Sequence, residues 1–155
     1  MRKPRVIVCD DDEVILHVFR HALEKMGYEV LTAKTPLTCA FFRDDAESCP
    51  QHDRCTDVLI TDYAMPHMTG LELLEMQHHR GCKLTSRNKA LLTGRDDDEI
   101  RKKTENLGSS FLSKPLPIAV LEEWIRECIT RVDLSEPLAK ELFHPANKAS
   151  LRVGP

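Results

Sequence analysis

Five short apolar runs, at residues 5–9, 28–33, 57–62, 89–93 and 110–113, alternate with longer stretches whose apolar residues recur at helical spacing. Runs this short and this rich in Val, Leu and Ile are too brief for typical helices and fit strands buried on both faces. Between the first two, Val14, Ile15, Val18, Phe19, Ala22, Leu23 and Met26 keep a helical period, and Gly27 supplies the left-handed stop. A shorter helix is expected from Pro36 to about Arg43, and another over Leu71, Leu73, Leu74 and Met76. A third ends near Asn106, before Gly108, and a last one carries Val120, Leu121, Trp124, Ile125, Cys128 and Ile129. Strand and helix alternate without an internal repeat. That is the pattern of an α/β domain built on a doubly wound, five-stranded parallel sheet with helices on both faces.

The length of 155 residues suits one domain over 1–132 with a tail over 133–155. In the tail, Leu138, Ala139, Leu142 and Phe143 recur at roughly helical spacing, which reads either as a short partner-binding helix or as a frayed extension. A net charge of −3 with no basic stripe disfavours direct nucleic-acid binding. The apolar run from Val6 to Cys9 is far too short for a signal peptide or for membrane insertion, so a cytoplasmic location is expected. Six cysteines without an export signal are expected as reduced thiols, with Cys9 and Cys128 in the core. The group Cys49, His52 and Cys55, in an extended polar loop over 44–56, reads as a solvated loop or as a metal or redox site.

Chemistry-bearing residues collect where the apolar runs stop. The run at 57–62 delivers Asp62 and then breaks at Pro66 and Gly70, and in open parallel sheets ligands sit at such strand ends. Taken alone, Asp62 reads equally well as an acid capping a turn. The other runs end in Asp10 and Asp11, in Thr93, and in Lys114, all at the same sheet edge. Converging carboxylates repel by several kcal/mol per pair at intermediate dielectric, and an all-oxygen site with room for water suits Mg²⁺. A lysine point charge and a threonine hydroxyl beside them would stabilise a transferring phosphoryl group, which a carboxylate can accept as an acyl phosphate. The acidic run at 96–99 reads as the first turn of a helix, and His78 and His79 as a solvated helix end.

Asp10-Asp11 after the first strand, Asp62 in DYAMPHMTG, Thr93-Gly94 and Phe111-Leu112-Ser113-Lys114-Pro115 together resemble the receiver domain of two-component response regulators. The resemblance covers roughly Arg5 to Val132 and implies a flavodoxin-like fold with strand order 2-1-3-4-5. It further implies that Asp62 takes a phosphoryl group from a histidine kinase or phosphotransfer protein. Asp10, Asp11, Asp62 and the backbone carbonyl of Ala64 would hold Mg²⁺, Thr93 and Lys114 would bind phosphoryl oxygens, and the Lys114-Pro115 bond would be cis. Thr93 and Phe111 would form the switch pair, with Phe111 lacking the hydroxyl of the tyrosine common at that position. Such a protein is a self-phosphorylating switch and not a turnover enzyme.

A haloacid-dehalogenase-like phosphatase is the rival reading, with Asp10 as nucleophile, Asp12 as acid, and Thr93 and Lys114 in supporting roles. It leaves Asp62 unexplained, and the acids after the lysine, Glu122 and Glu123, fall on a helix. A binding module modulated through Cys49, His52 and Cys55 is a third reading. With about twenty residues after the last helix, no DNA-binding output domain fits, so a stand-alone receiver acting on a downstream protein target is expected.

Overall fold

β1 (Arg5–Cys9), β2 (Glu29–Ala33), β3 (Val58–Asp62), β4 (Lys89–Thr93) and β5 (Ser110–Ser113) form where the short apolar runs fall. The structure, a computed structural model, describes residues 1–39, 47–140 and 151–153. The five strands pair in parallel in the order β2-β1-β3-β4-β5. Every residue of the central strands β3 and β4 is buried, while β5, at the sheet edge, is mostly half-buried.

Strand alternation assigns the two layers. Val6 and Val8 pack with Leu16, Phe19 and Leu23 of α1 (Glu13–Lys25) and with Leu121, Ile125 and Cys128 of α4 (Ile118–Ile129). The opposite sheet face, with Leu31, Leu59 and Leu91, packs on Leu71 and Leu74 of α2 (Gly70–His79) and Ile100 of α3 (Asp98–Asn106). Each fully buried Leu or Ile in these layers contributes about 1.5–3 kcal/mol. Local chemistry sets the helix ends. Asp12 caps α1 through the Val14 amide, Thr69 and Glu72 form a capping box on α2, and Asp97 caps α3. Gly27, at φ +91°, turns the chain out of α1.

Two expectations change and a third is sharpened. The helix from Pro36 to about Arg43 begins only as a 3-10 turn, Pro36–Thr38, closed at Cys39, and its remainder lies outside the described residues. On α1 the period that held Val14 and Val18 is confirmed, but these two stand 70% and 44% exposed, because the buried stripe runs through Leu16, Phe19 and Leu23. At Leu138 and Ala139 the chain is not helical; both side chains are buried, and the Ala139 amide donates to the carbonyl of Arg54 at 2.9 Å. Leu142 and Phe143 lie outside the described residues. Beyond them, β6 (Leu151–Val153) adds to the sheet antiparallel to β2, covering an edge that would otherwise present unpaired backbone groups.

The amino-terminal end of the sheet is held by a buried acid. Asp57, fully buried, accepts two hydrogen bonds from Arg2 at 2.6 and 2.9 Å, one from the Arg5 amide at 2.8 Å and one from Arg54 Nη2 at 3.1 Å. Arg54 also reaches Glu136 at 2.9 Å, so one network ties the chain start, the β3 entry and residues beyond α4. Burial alone would raise the Asp57 carboxyl, but these bonds outweigh it and hold it below its ordinary value.

Candidate functional site

At the opposite edge, β1, β3, β4 and β5 end in polar residues because each buried run stops there. Asp10 follows β1 directly and prolongs its pairing with β2, its amide donating to the Ala33 carbonyl at 3.0 Å. Asp62 and Thr93 are the last residues of β3 and β4, and Lys114 follows β5 with its amide on the Thr93 carbonyl at 2.9 Å. The Lys114-Pro115 peptide is cis, as the resemblance implied.

Lys114 Nζ donates to Asp10 Oδ2 at 3.1 Å and lies 2.9 Å from Asp62 Oδ1. Asp10, Asp11 and Asp62 each offer an oxygen, and the three oxygens lie within 4.8 Å of one another. Asp10 and Asp62 are buried and Asp11 is exposed, so the group opens to solvent on one side. Burial pushes the Asp10 carboxyl up and the charge of Asp62 adds to this, against the lowering bonds from the Asp12 amide and Lys114. Burial would lower the Lys114 ammonium, but its bonds to Asp62 and Asp10 prevail and raise it. Three carboxylates sharing one ammonium leave excess negative charge in a partly dry cleft. The donor set is all oxygen and two of its members are buried, which fits a hard divalent cation such as Mg²⁺.

Thr93, 3% exposed, accepts from the Arg95 amide at 3.0 Å, which leaves its hydroxyl proton available to another acceptor. Ala64 is exposed in the loop beyond Asp62. Phe111 is set apart from the acids: it packs in the α2–α3 layer with Arg101 Cζ 4.3 Å from its ring centroid. Asp12 is spent locally, its side chain capping α1 and its amide donating to Asp10 Oδ1 at 2.9 Å, so it does not serve as the acid a phosphatase requires. The trio Cys49, His52 and Cys55 does not assemble: the His52 side chain is 99% exposed and pairs with Asp53 at 3.2 Å.

Gly70 was read only as a loop marker, yet it shapes the site. A Cβ there would lie 2.1 Å from the Asp62 carbonyl oxygen, so glycine alone lets α2 start against the end of β3. The Gly70 amide donates to the Tyr63 carbonyl at 2.8 Å and fixes that approach. The loop between them turns through His67 at φ +77°. A glycine's value as a spacer depends on what faces it, so spacing alone carried no signal for this role.

A flavodoxin-like sheet of order 2-1-3-4-5 with acids, a threonine and a lysine at its strand ends defines a receiver-type signalling domain. The chain belongs to the response regulator receiver domain family, whose model matches residues 6–126. It is 30% identical over 119 residues to the two-component response regulator ORR8 of Oryza sativa subsp. indica, covering 76% of this chain and 92% of that protein. It is 28% identical to ARR11 of Arabidopsis thaliana, over 76% of this chain but 21% of that longer protein. Among solved structures, a CheY-like receiver domain protein from Methanospirillum hungatei JF-1 superposes with TM-score 0.67 at 28% identity, covering 84% of this chain and 96% of that one. A receiver domain protein from Clostridium thermocellum gives 0.65 at 29% identity, covering 83% and 95%.

Proposed function

We propose that Asp62 is the phosphoacceptor and that phosphohistidine on a histidine kinase or phosphotransfer protein is the donor. The observation that carries this reading is Lys114 Nζ held between Asp10 and Asp62, 3.1 and 2.9 Å away, at the end of a buried strand. An Asp62 oxygen attacks phosphorus in line. A P–O bond forms, the P–N bond to the donor imidazole breaks, and the imidazole leaves with its electron pair and takes up a proton. Lys114 follows the phosphoryl oxygens as a point charge, and Thr93 donates its hydroxyl to one of them. Asp10, Asp11, Asp62 and the Ala64 carbonyl would hold Mg²⁺, which when bound supplies positive charge against the phosphoryl oxygens. The product is an acyl phosphate on the protein itself, so the chain acts as a switch and not as a turnover enzyme.

Val14 and Val18, exposed beside Lys114, line an apolar groove of about 400 Å³ with Ile15, Phe19, Pro115 and Leu116. Such a groove suits the apolar face of a donor helix presenting its phosphohistidine to Asp62. The output is a protein-binding surface around Thr93 and Phe111, with no direct nucleic-acid contact. No described helix is long and apolar enough to cross a membrane, and we place this switch in the cytoplasm, where its donors' phosphoryl groups originate.

The test is intact-mass analysis after incubation with acetyl phosphate and Mg²⁺. The expected result is a single phosphoryl adduct that is absent in Asp62→Asn and absent when the metal is chelated. An adduct that persists in Asp62→Asn and vanishes in Asp10→Asn would transfer the chemistry to Asp10 and overturn the reading.

A further inference from the structure

Thr93 gives its proton to a phosphoryl oxygen efficiently only if its hydroxyl is already held in the right orientation. Its Oγ1 accepts from the Arg95 amide at 3.0 Å, a hydroxyl turn that occupies one lone pair and leaves the proton for another acceptor. Gly94, between the two residues, has no side chain with which to brace that turn.

The brace comes from the Arg95 side chain. Arg95 Cζ lies 5.4 Å from the centroid of the Tyr63 ring, within cation–π range. Tyr63 is a fixed platform: its amide donates to the Leu92 carbonyl at 3.0 Å, its carbonyl accepts from the Gly70 amide at 2.8 Å, and its ring packs on the α2–α3 layer. Arg95 Nη2 also lies 3.9 Å from Asp97 Oδ2, while Asp97 Oδ1 is held by the Glu99 and Ile100 amides at 3.0 and 3.1 Å. The guanidinium therefore runs from the residue next to Asp62 toward the cap of α3. With the Arg95 side chain 62% exposed, that ion pair contributes little, and the stack on Tyr63 is the stronger hold.

We propose that Arg95 is a positioning residue for phosphoryl transfer: stacked on Tyr63, it fixes the turn after β4 so that Thr93 presents its hydroxyl proton to the phosphoryl group on Asp62. The inference rests on the phosphoacceptor reading of Asp62. The tie joins the turns that follow β3 and β4, the neighbouring strands that deliver the acceptor and the hydroxyl. A contact made outside the cleft thus sets how Thr93 faces into it, and the arginine acts through its own amide and not on the reacting atoms. Sequence spacing carries no sign of this pairing, since Tyr63 and Arg95 belong to different turns.

The test is the initial rate of labelling by acetyl phosphate at saturating Mg²⁺, read by intact mass, with folding of each variant checked by circular dichroism. Arg95→Ala and Tyr63→Leu should each label about two- to fivefold slower than wild type, the change that matches loss of an exposed cation–π contact. The double variant should be no slower than either alone, because both remove the same contact. Tyr63→Phe keeps the ring face and should label as wild type. Adding Arg95→Ala to Thr93→Ala should change nothing further, since the group being positioned is already gone. Hydrogen exchange at the Arg95 amide should be faster in Tyr63→Leu than in wild type. Wild-type labelling by Arg95→Ala, or unchanged exchange at that amide in Tyr63→Leu, overturns the inference. So does equal slowing by Arg95→Ala with and without Thr93, which would assign the effect to charge or to folding. A wild-type protein that takes no label, or an Asp62→Asn protein that takes it, overturns instead the phosphoacceptor reading and this inference with it.

Discussion

Replacing Gly70 with alanine sets two effects of opposite sign against each other. In favour of alanine, a helix position gains about 0.5–1 kcal/mol when glycine is replaced, largely through the unfolded chain. Against it, the new methyl would lie 2.1 Å from the Asp62 carbonyl oxygen and 2.8 Å from Leu91 Cδ1. Leu91 can yield by changing rotamer, but the carbonyl belongs to the β3 backbone, buried and paired on both sides with β1 and β4. Reaching even 3.0 Å from it demands about 0.9 Å of movement between α2 and β3, and overpacking of this kind costs about 1–3 kcal/mol or more when backbone must shift. The steric term therefore wins, with a net loss of about 1–2 kcal/mol and a fall in Tm of about 2–8 °C for a domain of this size. The displaced atom is part of Asp62, so acetyl-phosphate labelling should slow as well, by roughly tenfold to a hundredfold, since a shift near 1 Å at a reacting group costs on that order. Gly94→Ala is the matched control: its Cβ would meet only Lys114 Cβ, at an ordinary 3.9 Å. Differential scanning calorimetry and time-resolved intact mass provide the two readouts. A Gly70→Ala protein that melts with wild type and labels at the wild-type rate would refute the packing account.

Three further outcomes are expected. Asp62→Asn removes one of three mutually repelling carboxylates, so without Mg²⁺ it should melt about 2–4 °C higher for each kcal/mol of repulsion relieved. Wild type alone should gain about 1.4 kcal/mol at tenfold Mg²⁺ over Kd, and an equal Mg²⁺ response in both proteins would contradict the proposed ligand set. At the other end of the sheet, Asp57→Asn should destabilise by about 3–5 kcal/mol by stranding Arg2 and Arg54. Because the folded Asp57 carboxyl titrates below its unfolded value, this stabilisation is complete above the unfolded pKa and is lost as pH falls through the folded one. Urea denaturation of both proteins across that range should show the gap between them narrowing, while the opposite contribution of Asp10 is common to both and cancels. Finally, Val18→Glu places a charge in the exposed groove beside Lys114. It should cut phosphoryl transfer from a phosphohistidine donor about tenfold or more while labelling by acetyl phosphate stays within twofold, and equal slowing of both reactions would remove the groove from donor recognition.

The strands and helices were legible because each is a local matter of period. A run such as Val58 to Asp62 is buried on both faces, and a stripe such as Leu121, Ile125 and Cys128 repeats every three to four residues, whatever it packs against. The strand-end residues Asp10, Asp62, Thr93 and Lys114 were legible for the same reason, since a parallel sheet aligns its carboxyl ends without further instruction. Period does not say which apolar residues of a helix face inward when more than one stripe is available, so Val14 and Val18 share the helical period of α1 and yet stand in solvent. Nor does it measure approach: the contact of Lys114 with Asp10 spans 104 positions, and the clearance at Gly70 depends on β3. Asp12 differs from Asp10 only in where the helix begins, which makes one a cap and leaves the other in the cleft. By itself, then, the sequence determined the order of elements and the residue types offered at the sheet edge. The tertiary structure alone decided which of those residues touch, because such contacts depend on how separate elements pack and not on the local period of any one.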